Sequence, residues 1–188
     1  MLSRLPRPAL IGVILFCASA TLFAAVQDQA PPPKSTETPP PTKHPVSGLE
    51  RLRIPVAGEA FLMELANEPV SRARGLGGRK TIPKHEGMLF AYPKRDVLGF
   101  WMKGCLTDID IAYVSSDGRI LSMHRMKRPP ERRPDERIAT YEARLPRYSS
   151  RHLVQFALEF APGTLDRLGL EVGHRLDLPT ERLIESAR

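Results

Sequence analysis

Between residues 61 and 160 apolar and polar side chains alternate in short blocks, and that period of two restricts the fold more than any other feature. Phe61, Met63 and Leu65 alternate with Leu62, Glu64 and Ala66. Ile109, Ile111 and Tyr113 alternate with Asp110, Ala112 and Val114, and Val154, Phe156, Leu158 and Phe160 share one face against Gln155, Ala157 and Glu159. Side chains on a strand point alternately to opposite faces, so such blocks bury one side of a sheet. A further apolar block, Gly87 to Tyr92, is closed by Pro93, and Asp117-Gly118 marks a tight turn returning Arg119 to His124 as a hairpin arm. Helix signals are short. Ser71 is placed to cap a turn through Leu76 that ends at Gly77-Gly78, and Thr164 to cap Leu165 to Leu168 ahead of Gly169. The expected fold is mainly β, a single small barrel or sandwich with one or two short helices.

The chain around this domain is organised differently. Arg4 and Arg7 precede an uncharged run from Ala9 to Val26, its apolar centre, Leu10 to Phe16, is followed by small residues, and Ala18-Ser19-Ala20 fits a cleavage site. Residues 1–26 therefore read as a secretory signal or, because an uncharged run of eighteen residues reaches the lower limit for a span, as a retained inner-membrane anchor. Either reading sends the protein to the periplasm or the exterior, with membrane contact through this segment alone. Phe16 before Cys17 argues against lipidation.

Residues 27–48 form a linker. Seven prolines between positions 31 and 45 remove backbone donors and favour extended polyproline II, a semi-rigid spacer. The folded domain is placed at 49–178, and 179–188 reads as a polar tail.

Of the 188 residues, 28 are Lys or Arg and 21 Asp or Glu, a formal net charge of +7. Nine basic residues against four acidic ones between Arg125 and Arg151 leave +5 there, with Pro129, Pro130 and Pro134 implying a loop. In an exported chain this stretch suits solvent, an anionic envelope ligand or an assembly partner, and nucleic acid is not expected. The histidines are scattered without paired ligand spacing, so no metal is expected, and Gly75, Gly77 and Gly78 lack the Gly-Lys-Ser/Thr ending of a phosphate loop. No cofactor signature is present.

The most unusual string is Gly99-Phe100-Trp101-Met102-Lys103-Gly104-Cys105, which holds the only Trp. With Gly75-Leu76-Gly77-Gly78-Arg79 and Gly87-Met88-Leu89-Phe90 upstream, and Leu158-Glu159 and Gly173-His174 downstream, it resembles the bacterial and archaeal family catalogued as domain of unknown function 192. The resemblance runs from Phe61 to Leu176 and rests chiefly on the Trp-Met-Lys block. Gly77 stands where that family usually has Met, Gly104-Cys105 replaces Asn-Thr, Asp108-Ile109 replaces Pro-Leu, and His174 replaces a late Asp. It implies an exported or anchored, barrel-like β domain, with no assigned reaction.

By that resemblance Arg79 and Lys103 are the family's cations, and Asp110 and Glu159 its acids. Trp101 buries a large ring in the core or walls a ligand groove. The polar four suit two roles: orienting contacts for a small or extended polar ligand, carbohydrate-like or anionic, or ion pairs with one another. A hydrolase of cell-wall or carbohydrate material using Asp110 and Glu159 is the alternative, and a non-catalytic assembly protein the third reading. Cys105 fits a small buried thiol better than a nucleophile, since no spacing ties a His to it.

Overall fold

The computed structural model describes residues 42–188. The signal or anchor segment and most of the proline-rich linker lie outside the described residues. Seven strands form one sheet: β1 (Thr42–Lys43), β2 (Glu50–Val56), β3 (Glu59–Ala66), β4 (Glu86–Trp101), β5 (Ile109–Val114), β6 (Ile120–Met126) and β7 (Arg147–Phe160). Their order is β1-β2-β3-β4-β7-β5-β6, antiparallel except for the β3–β4 pair. Four short helices accompany them: α1 (Pro69–Arg74), α2 (Ile138–Ala143), α3 (Thr164–Arg167) and α4 (Thr180–Ser186). The sheet does not close into a barrel, because its end strands β1 and β6 do not pair. Both faces are covered instead, giving a sandwich-like arrangement with two apolar clusters.

Turn chemistry explains the hairpins. Ala57 and Gly58, at φ 47° and 83°, place both central residues of the β2–β3 turn in the left-handed region, as a two-residue hairpin of matching twist requires. Gly118, at φ 87°, reverses the chain between β5 and β6 where Asp117-Gly118 indicated it. Leu52, Ile54 and Val56 alternate as β2, a strand the block reading above passed over.

Pro93 does not end its strand. β3 leaves β4 at Phe90, and the β4–β7 ladder is broken between Ala91 and Asp96, so Pro93 falls where no ladder donor is needed. Beyond it β4 continues to Trp101, paired with the first half of β7.

Both boundaries of the domain move outward. Within the expected linker, β1 pairs with β2, and the Ser47 hydroxyl donates to Glu64 at 2.6 Å. The expected polar tail is α4, whose Leu183 is fully buried with Ala187 beside it in the core. At α3, Asp110 rather than Thr164 supplies the acceptor: its Oδ2 receives the Leu165 N–H at 2.9 Å. At α1, Ser71 occupies the third helical position and its Oγ accepts the Glu68 N–H at 3.1 Å.

Candidate functional site

One groove gathers most of the unusual string. It opens over a volume of about 320 Å³ between α1 with its following loop and the far end of β4, with Glu159 of β7 among its lining. Tyr92, Phe100 and Trp101 wall it, and Phe90 stands edge-on to Phe100 with ring centroids 4.8 Å apart. Trp101 is partly buried, with the Arg147 guanidinium 3.9 Å from its ring centroid and the Lys103 ammonium at 5.3 Å. These are cation–π distances. Lys103 also pairs with Glu142 of α2.

Glu159 is the chemically distinctive member. It is 5 % exposed, and its Oε2 is fully buried without a hydrogen-bond partner. Burial pushes its carboxyl up to about 8, against the lowering influence of the Leu76 backbone N–H and the Arg79 charge. At neutral pH it is a carboxylic acid, a donor without an acceptor. Gly75, at φ 52°, lies against it: a side chain there would begin 3.7 Å from Oε2 and 3.6 Å from Phe90. Cys105 also lines the groove, and its thiol is pushed up to about 12 by burial and by the Glu159 charge, which makes it a poor nucleophile.

Two of the five expected site residues lie elsewhere. Arg79 makes a two-pronged pair with Glu64, at 2.6 and 2.8 Å. Burial raises the Glu64 carboxyl, but the hydrogen bonds from Arg79 and Ser47 and the charges of Arg79 and His44 outweigh it, and the group ends below its ordinary value. Asp110 is 2 % exposed and anchors the start of α3, its carboxyl raised by burial and partly restored by the Leu165 N–H.

The pairing register separates the two acids proposed for hydrolysis. Asp110 stands opposite Phe160 and Ile111 opposite Glu159. Paired residues share a face and neighbours alternate, so the carboxyls point to opposite sides of the sheet. They form no acid–base couple, and the hydrolase reading based on them is withdrawn.

The basic stretch is likewise more ordered than a loop. Glu136, its side chain 1 % exposed, accepts Arg144 at 2.8 and 3.0 Å, and these bonds with the Arg133 N–H bring its carboxyl down to about 2 despite burial. Lys127 pairs with Asp108 at 2.9 Å, Arg128 with Glu131 at 3.0 Å, and Arg125 with Asp166. Five of the nine basic side chains, Arg125, Lys127, Arg128, Arg133 and Arg144, therefore face an acid.

Sequence reasoning missed Tyr92, Gly75 and Arg74 as members of the groove, and Arg147 as the cation over the Trp101 ring. Only the structure folds α1 and the start of β7 onto the Trp101 segment. Among the described residues no three His, Cys, Asp or Glu side chains assemble a metal-binding group.

Two solved structures are similar over most of their length. A protein of unknown function from Novosphingobium aromaticivorans shares 25% identity at a TM-score of 0.60, over 73% of this chain and 92% of its own. A Sinorhizobium meliloti protein, described provisionally as a transcription regulator, shares 29% identity at a TM-score of 0.55, over 68% of this chain and 91% of its own. No curated protein matches the chain. The model of the DUF192 family, uncharacterized ACR, matches residues 52–178, a span that carries strands β3 to β7 and the groove, and the chain belongs to that family.

Proposed function

We propose that this domain is an exported binding module whose groove takes a small or extended polar ligand of the cell envelope. The carrying observation is Glu159: a buried carboxyl with a bare oxygen, at the edge of an aromatic groove with cationic side chains at its mouth. A buried polar group left unpaired costs about 1–3 kcal/mol, so a ligand that completes its hydrogen bonding recovers that energy on binding. Trp101 supplies the apolar wall, Lys103 and Glu159 the orienting contacts, and Arg79 and Asp110 hold the elements that frame them. The Asp110–Glu159 couple is not part of this reading, because the register places those two carboxyls on opposite faces of the sheet.

Export rests on Arg4, Arg7 and the apolar run to Val26. The regulator description of the Sinorhizobium meliloti protein is not carried over. The cations of 125–151 are largely engaged by Glu131, Glu136, Asp108 and Asp166 rather than arrayed for phosphates.

Calorimetry against a panel of polar envelope compounds tests the binding, with Trp101→Ala as control. Saturable binding that Trp101→Ala abolishes is expected; a panel without a binder, or binding indifferent to that change, refutes the site. An alkaline phosphatase fusion tests export: residues 1–48 should carry the reporter out of the cytoplasm, and an inactive cytoplasmic fusion would overturn that part.

A further inference from the structure

The groove is cationic at its mouth and uncharged at its base, and this gradient selects among polar ligands. Arg74 and Lys103 line it, and Arg147 lies over the Trp101 ring. Glu142, the acid on that side, is already engaged by Lys103. The positive charge of Arg74 and Arg147 is thus available to a ligand anion. Both side chains are exposed, so an anion there keeps part of its hydration and avoids the cost of deep burial.

At the base the requirement is different. Protonated, Glu159 needs an acceptor; ionised, it needs a donor. A hydroxyl satisfies both states, whereas a carbonyl serves only the first and an ammonium only the second. A second anion at that depth would meet a desolvated site with no cation bonded to Glu159. Between mouth and base stand the rings of Tyr92, Phe100 and Trp101, which suit a flat body with apolar faces. The volume, about 320 Å³, lies at the small end of ligand sites and fits one or two rings rather than a long chain.

We propose that the groove binds an acidic sugar. Its carboxylate lies at Arg74 and Arg147, its ring against Trp101 and Phe100, and a hydroxyl pairs with Glu159. This rests on the groove being the binding site, and it names the ligand class.

The test is calorimetry on the full chain at low salt with glucuronate and galacturonate, beside glucose and galactose as neutral parents and acetate as a bare anion. Each uronate is expected to bind at least tenfold more tightly than its parent, and acetate not to bind measurably. Arg74→Ala with Arg147→Ala, both at exposed positions, should erase the tenfold preference without unfolding the chain, and 0.5 M salt should do the same. Glu159→Leu should weaken acidic and neutral sugars alike. Equal affinity for acid and parent, or acetate binding as well as the uronates, overturns the acidic-sugar assignment. If no sugar binds while another envelope compound binds in a Trp101-dependent manner, the assignment falls and the groove stands. If nothing binds, both fall.

Discussion

Glu159 makes the stability of this chain depend on pH in a direction opposite to that of a salt-bridged carboxylate. Its carboxyl is raised by burial from 4.5 to about 8 in the folded chain and returns to its ordinary value on unfolding. Between those values the native state keeps a proton that the unfolded state has released, so stability falls as pH rises and levels off above about 8. Glu159→Gln retains the shape and the buried amide cannot ionise, so the loss disappears. Relative to wild type, the variant should gain roughly 2–3 kcal/mol between pH 5 and pH 7, and approach a total on the order of 5 kcal/mol above pH 8. Other titrating groups are common to both chains and cancel in the difference. Tyr92 and Cys105, which feel the Glu159 charge, are each pushed up to about 12 chiefly by burial, and Tyr113 is raised by burial as well, so all three stay neutral throughout. Urea unfolding followed by far-UV circular dichroism at pH 5, 6, 7, 8 and 9 reads the difference directly. Parallel stability profiles for the two chains would mean that Glu159 is solvated or ion-paired, and the account of the groove base would be wrong.

Other perturbations test the frame around the groove. Arg79→Ala strands the buried Glu64 carboxylate, and equilibrium unfolding should show a loss on the order of 2–4 kcal/mol, below the full cost of a broken buried pair because Arg79 is partly exposed. Gly87→Ala places a carbon 2.2 Å from the Glu159 backbone oxygen and 2.9 Å from the Met63 methyl, so it should destabilise by about 3 kcal/mol or more, while Gly99→Ala, with nothing within 4 Å, should change the midpoint little. At pH 8 the native Cys105 thiol should react with a disulfide reagent roughly a thousandfold more slowly than a free thiol, and should reach the free rate in denaturant. A fast native reaction would show that the thiol is not held in its buried environment.

Much of the sheet is legible in the residues themselves. The alternation of Ile109 to Val114 and of Val154 to Phe160 produces β5 and the second half of β7, and Asp117-Gly118 makes the turn it indicates. The errors cluster where local signals are overruled by neighbours. Pro93 stops a strand in isolation but is tolerated where β3 has already departed. Leu183 looks like part of a polar tail until its helix is laid on the core. Thr164 is a good cap, yet Asp110 from a strand 54 residues earlier in sequence reaches the helix start instead.

The candidate site divides in the same way. Trp101 and Lys103 stand out because they lie in one unusual string, and Glu159 because a carboxyl interrupts an apolar strand. What a strand's own sequence determines is parity, the side on which each residue lies relative to its neighbours. It does not determine which partner residue stands opposite, since that depends on bulges and on the packing of distant segments. The register of β5 against β7 sends Asp110 and Glu159 to opposite faces, ending one function and leaving another. Arg79 goes to Glu64 by the same kind of long-range choice, because a nearly buried carboxylate on β3 requires a cation more than a groove does. The sequence alone determined a β domain with a Trp-centred motif. Only the tertiary structure decided that Glu159 would keep an unpaired oxygen in the groove that this tryptophan lines, since a hydrogen-bond deficit belongs to no residue until every neighbour is in place.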